Sequence, residues 1–134
     1  MDLNKFYHHS LDLNDKFPIV YTAISKHLFH MRVWITKYVL DKKCAPINPF
    51  MNFDFAFYGL CSKTIVVTAN NNLLSIAEEL WVFGSISDGV LGEIIRYKKS
   101  NRPIKYFKIT GFEIEEIIES EVVYEKEVSG FLDT

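Results

Sequence analysis

The residues best suited to chemistry lie close together between positions 84 and 93. The run Gly84-Ser85-Ile86-Ser87-Asp88-Gly89-Val90-Leu91-Gly92-Glu93 places two small hydroxyls, an aspartate and three glycines ahead of a glutamate. It follows an apolar segment, Leu80-Trp81-Val82-Phe83, and leads into helically spaced Val90, Leu91, Ile94 and Ile95. A strand-to-helix junction of this kind presents unpaired N–H groups and a positive dipole end, which suit a phosphate or a carboxylate. Glu93, on the first turns of that helix, is placed to face the same crevice. A carboxylate beside a desolvated sugar can attack its anomeric carbon or stabilise an oxocarbenium ion. The same residues also have a plainer use, with Asp88 as a helix cap and Glu93 as a solvated first-turn acid.

Few other positions offer chemistry. His27 and His30 make an i, i+3 pair, but no nearby carboxylate or cysteine completes a metal site. His27 has the pKa range of a proton donor, yet a histidine at a helix start commonly faces solvent. His8-His9 lacks further ligands. The two cysteines, Cys44 and Cys61, form neither a disulfide framework nor a four-ligand zinc site. Cys44 reads as a small buried hydrophobe and Cys61 as a loop residue beside Gly59. No metal and no cofactor is expected.

These residues must be carried by a small α/β fold. The chain has 134 residues, 49% hydrophobic and 24% charged, which matches one globular domain with a real core. Phe17–Ile24 is β-branched and aromatic, a buried-strand pattern. Ser25 is the N-cap of a helix running to Lys43, with Leu28, Met31, Trp34, Ile35, Tyr38 and Val39 at three- and four-residue intervals. Ala45–Asn48 is a short strand. The aromatic stretch 50–58 serves equally as a lid, an interface or core filling. Ser62–Ala77 holds a helical turn or two, with Leu73, Leu74, Ile76 and Ala77 inward and Asn70-Asn71-Asn72 as a turn or N-cap cluster.

A strand at Glu79–Gly84, a helix at Gly89–Ser100, a turn at Asn101-Arg102-Pro103 and a strand at Ile104–Ile109 complete a β-α-β-(α)-β-α-β order. That order predicts right-handed parallel units in one domain over residues 17–134, preceded by an arm at 1–16. From about residue 111 the chain is acidic. Ile114, Ile117 and Ile118 have helical spacing, whereas 122–128 alternates like a strand. Either an added helix or an edge strand fits.

Net charge is −2, so no global pull toward nucleic acid or membrane is expected. The one basic cluster, Lys98, Lys99, Arg102 and Lys105, reads as a helix end and strand start. No apolar run approaches a membrane span and no signal-peptide pattern is seen, which points to a cytoplasmic protein.

Three segments together resemble the nucleoside 2-deoxyribosyltransferase superfamily, in particular its small bacterial and phage-borne relatives. They are Tyr21-Thr22-Ala23, Pro46-Ile47-Asn48-Pro49-Phe50, and Ala77 to Gly84 followed by Ser87 to Glu93. The resemblance covers roughly residues 18–109 and is most specific at 79–95. It implies a flavodoxin-like three-layer α/β/α sandwich with a mainly parallel sheet of four to five strands. It also implies action on the N-glycosidic bond of a nucleoside or nucleotide, within a homo-oligomer. Glu93 would be the nucleophile at C1′, with Tyr21 beside it, and Ser87 would help to hold a 5′-phosphate. The full substrate-binding set is then Ser85, Ser87, Asp88, Gly89, Asn48 and Asn71.

Two departures stand out. Where the family usually has an aspartate that handles the base proton, this chain has Asn71 or Asn72, and an amide is no general acid. The loop after the first strand lacks the family's Gly-Pro and reads Ile24-Ser25-Lys26-His27. A non-catalytic nucleotide-binding module, or an interaction domain with a vestigial pocket, therefore remains an alternative expectation.

Overall fold

The computed structural model describes residues 1–53 and 59–132. Five strands form one sheet in the order β2-β1-β3-β4-β5. They are β1 (Ile19–Ile24), β2 (Ala45–Ile47), β3 (Glu79–Phe83), β4 (Ile104–Thr110) and β5 (Glu113–Ile117). β1 pairs in parallel with β2 and β3, and β3 in parallel with β4, while β5 returns antiparallel to β4. The helices are α1 (Arg32–Asp41), α2 (Pro49–Asn52), α3 (Lys63–Ile76), α4 (Asp88–Lys99) and α5 (Lys126–Leu132). The expected α/β sandwich with a mainly parallel five-stranded sheet is the fold found.

Both sheet faces are buried, and alternation along each strand sorts the side chains. Val20, Ile24, Trp81, Phe83 and Phe107 pack with Met31, Ile35 and Val39 of the α1 layer. Tyr21, Ala23, Leu80, Val82 and Tyr106 pack on the other face with Leu74 of α3 and Val90, Ile94 and Tyr97 of α4. This two-sided burial explains why the strands read as near-continuous apolar runs. Leaving β1, the chain pairs first on one side with β2 and then on the other with β3. The crevice between the carboxyl ends of β1 and β3 is therefore the topological switch point, where ligands enter such sheets.

Two expectations need correction. The segment from Ser25 begins as 3₁₀ turns at Lys26–Met31, capped by Ser25 Oγ on the His27 N–H, and becomes α-helical only at Arg32. Residues 63–76 form one continuous helix rather than a turn or two. Ser62 caps it on the Ile65 N–H, and Asn70, Asn71 and Asn72 lie inside it. Inward packing outweighs the modest helix propensity of asparagine, since Val66 and Leu74 are buried; Ile76, expected inward, is exposed.

The acidic tail, expected to add a helix or an edge strand, adds both. Residues 113–117 are the edge strand, and 126–132 the helix, the reverse of the local spacing cues. Ile114 and Ile117 are three apart, which on a strand sends them to opposite faces. Ile114 packs on the α1 side and Ile117 on the α3/α4 side. The glutamates of this strand decorate an edge, which discourages further pairing.

Residues 1–18 are exposed throughout, with short 3₁₀ turns at Leu3–Lys5 and His9–Asp12. Of the aromatic stretch, Pro49–Asn52 is helical and residues 54–58 lie outside the described residues. Among the described residues no helix is long and apolar enough to cross a membrane.

Candidate functional site

A cleft of about 460 Å3 opens at the switch point. Its walls come from the end of β1 (Tyr21 to Ile24), the start of α2 (Phe50), one side of α3 (Asn70, Asn71) and the opening of α4 (Ser87 to Glu93). Lys26, Lys63 and Glu127 also reach it. Six of the expected residues thus meet in one place: Glu93, Tyr21, Ser87, Asp88, Gly89 and Asn71.

Local sequence explains the position of Glu93. Val90, Ile94 and Tyr97 are the buried residues of α4, and Glu93 falls on their stripe at the i+3 position. It is an inward-facing carboxylate on a half-buried residue, not a solvated first-turn acid. Burial, opposed in part by the Tyr21 hydroxyl, raises its pKa from 4.5 to about 7. Tyr21 points to the same face from β1 and is fully buried. Its own pKa is driven far upward, first by burial and then by the Glu93 carboxylate, so the hydroxyl keeps its proton. Glu93 and Asn70 are the polar neighbours that perturb this hydroxyl, yet neither meets it in standard hydrogen-bond geometry. A carboxyl poised near neutrality beside a permanent O–H donor can serve as nucleophile or as acid/base.

The helix opening differs from the sequence expectation. Ser87, not Asp88, is the N-cap of α4, with Oγ accepting from the Val90 N–H at 3.4 Å. Asp88 Oδ1 accepts from the Gly89 N–H at 2.7 Å. These amides already have partners within the chain, so an anion must compete with Ser87 and Asp88 for them. Lys26 and Lys63 are the basic residues that line the cleft.

Two expected ligand contacts lie elsewhere. Asn48 is buried and structural: Oδ1 accepts from the Phe50 N–H, and Nδ2 donates to the Arg32 carbonyl and to Thr36 Oγ1. It fastens α2 to α1 and does not line the cleft. Ser85 sits past Gly84, whose φ of +77° turns the chain away from β3. Ser85 Oγ donates to Glu125 Oε2 at 2.9 Å and lines a separate, largely apolar cavity of about 480 Å3 beside Val122 and Val123. His27 does not line the cleft either; its Nε2 lies 3.7 Å from Glu125 Oε1, mostly in solvent.

Three of the four basic-cluster residues have structural partners. Arg102 donates to the Ser75 and Ala77 carbonyls at the end of α3, Lys98 pairs with Glu119, and Lys105 approaches Glu79. Among the described residues no group of three His, Cys, Asp or Glu side chains is arranged to hold a metal ion.

Asn70 escaped the sequence reading because the asparagine run looked like a turn. Its signal was available: it stands four residues after Val66 and four before Leu74, on the inward side of a helix. Lys26, Lys63 and Glu127 carried no such signal, since only the tertiary fold brings them to the cleft. Comparison of the chain with protein-family models, with curated proteins and with solved structures found no match in any of the three.

Proposed function

We propose that this protein cleaves or transfers the N-glycosidic bond of a nucleoside or nucleotide, with Glu93 as the nucleophile at C1′. The supporting observation is the placement of Glu93: a carboxyl raised to about 7, beside a buried tyrosine hydroxyl, in the switch-point cleft. In its ionised form Glu93 makes an ester bond to C1′ as the C1′–N bond breaks, its electron pair leaving with the base nitrogen. Solvent protonates the departing base. Water or a second base then takes the sugar from Glu93, restoring the carboxylate. Tyr21 orients the carboxylate, and its O–H favours the charged form. Lys26 and Lys63 offer countercharge to a phosphate, in competition with Asp88 and Glu127. The same reading carries a homo-oligomer whose neighbouring subunit completes the cleft.

One observation favours a second reading. Asn71, one of the two residues that stand where the resembled family usually has its acid, lines the cleft, and an amide cannot supply the proton. A module that binds a nucleotide without cleaving it fits that feature. Incubation with a panel of nucleosides and nucleoside monophosphates, with product chromatography and calorimetry in parallel, separates the two. Release of free base by the wild type and not by Glu93→Ala supports the enzyme. Binding without base release supports the module, and base release undiminished in Glu93→Ala refutes the mechanism.

A further inference from the structure

Terminal segments that stay in solvent are usually polar and poorly ordered. The arm before β1 is neither. Leu3, Phe6, Tyr7, Leu11, Leu13 and Phe17 are all exposed on it. Even so, it has a defined shape. Asp2 caps the turn at Leu3–Lys5 on the Asn4 N–H, and His8 caps the turn at His9–Asp12 on the Ser10 N–H. The Tyr7 hydroxyl donates to Asp12 between them. Among the described residues the hydrogen bonds of residues 1–17 all run within the arm. An ordered segment holding six large apolar side chains in water is costly, and only a partner surface offsets that cost.

A matching surface lies at the other end of the sheet. Trp34, on the first turn of α1, and Phe112, in the turn between β4 and β5, are both exposed, with ring centroids 5.4 Å apart. With Tyr38, Ile114 and the Lys37–Asp41 pair they wall a hollow of about 240 Å3, room for one aromatic ring. Val33 and Leu40, also exposed, flank it on α1. The arm joins β1 at its start, whereas Trp34 and Phe112 follow strand ends, so the length of β1, roughly 20 Å, separates root from hollow. We propose that the arm of one copy docks on this face of a second copy, whose own arm returns the contact, with an arm ring filling each hollow. The chain thus carries both halves of a two-fold, self-complementary interface. If each of the six side chains buries roughly 100 Å2 and covers as much receptor, two reciprocal arms bury roughly 2,400 Å2. That exceeds the about 1,200–2,000 Å2 of a standard specific interface. A lipid surface fits less well, because Asp2, Asp12 and Asp15 outnumber Lys5 and Lys16 and the apolar residues share no continuous helix. The inference stands without the glycosidic reading, to which it adds the contacts that hold the homo-oligomer together.

The test is sedimentation equilibrium of the full chain over a range of concentrations, on the wild type and two variants. One variant carries Phe6→Ser, Leu11→Ser and Leu13→Ser together, which leaves the arm's capping bonds and Tyr7 intact. The other carries Trp34→Ser alone, at the receiving hollow. The wild type is expected to be a dimer at about 10 μM, as an interface of this size allows. The arm variant is expected to weaken the dimer by at least roughly 100-fold, and Trp34→Ser by at least roughly 30-fold. Diluted to monomer, the arm variant should melt within a few degrees of the wild type, because the arm takes no part in its own domain's core. Dilution of the wild-type dimer should shift its tryptophan emission to the red as Trp34 returns to water.

A wild type that is monomeric at all concentrations overturns the inference, including one whose arm binds lipid vesicles instead. A dimer kept at full strength by either variant overturns it too, because the arm or the hollow is then not its contact. An arm variant that melts many degrees lower as a monomer overturns it by showing that the arm packs on its own domain. No turnover enters the experiment, so neither result bears on the role of Glu93, and a failure of that role leaves the dimer standing.

Discussion

Replacing Glu93 with glutamine keeps the side chain's shape and removes a charge from the inward stripe of α4. In the folded chain the carboxyl titrates at about 7, against 4.5 for an ordinary glutamate, with burial as the main cause. Between those two values the folded protein holds a proton that the unfolded chain has released. Stability in that window therefore falls as pH rises: it is full below 4.5 and is lost through about 7. At about 1.4 kcal/mol per pH unit, the wild type loses about 3 kcal/mol across the window. Glutamine does not titrate. The variant should match the wild type near pH 4 and exceed it by up to about 3 kcal/mol near pH 8, which for a chain of this length is roughly 10 °C in Tm. Thermal unfolding followed by the fluorescence of Trp34 and Trp81, repeated across that pH range, measures the gap. A gap that does not change with pH, or a glutamine variant less stable near pH 8, would refute the burial of this carboxyl.

Tyr21→Phe removes the O–H that holds the Glu93 pKa down. The acidic limb of its pH–rate profile should move to higher pH, with activity near neutrality falling roughly 10- to 100-fold. Its stability should change by less than about 1 kcal/mol, because the lost hydroxyl has no well-formed hydrogen bond. An unshifted limb contradicts this assignment. Asn48→Ala should destabilise the fold by about 2–3 kcal/mol, since it breaks two part-buried hydrogen bonds to α1 and the cap of α2. Ligand affinity of the folded variant should stay within about 2-fold, because Asn48 is not part of the cleft; a large loss of affinity would return it to the site.

Much of the fold was legible because the sheet is buried on both faces. The apolar runs at β1 and β3 and the 3.6-residue period of α4 admit few other readings. What failed did so for local reasons. The spacing of Ile114 and Ile117 mimics a helix, and only the hairpin pairing of Lys108 with Glu115 and Ile109 with Ile114 resolves it as a strand. The asparagine run looked like a turn because propensity was weighed without the buried partners Val66 and Leu74. For the site, the segment 87–93 was informative because chain direction and helix period together fix where Ser87 and Glu93 face. Ser85 and Asn48 were misplaced for the opposite reason. Each stands at a strand end, but the positive φ of Gly84 and the capping role of Asn48 turn them from the cleft. Glu127 reaches the cleft across a long sequence separation that no local pattern encodes.

The most direct test of the glycosidic role is to trap the sugar on the protein. A nucleoside carrying fluorine in place of the 2′ substituent slows both formation and breakdown of a glycosyl ester, and an activated base as leaving group restores formation. Intact-mass measurement after incubation, followed by peptide mapping, locates any adduct. One fluorosugar equivalent on the peptide containing Glu93, absent from the Glu93→Gln variant, is the predicted result. An adduct on another residue, or base release by the wild type with unmodified protein throughout, would contradict covalent attack by Glu93.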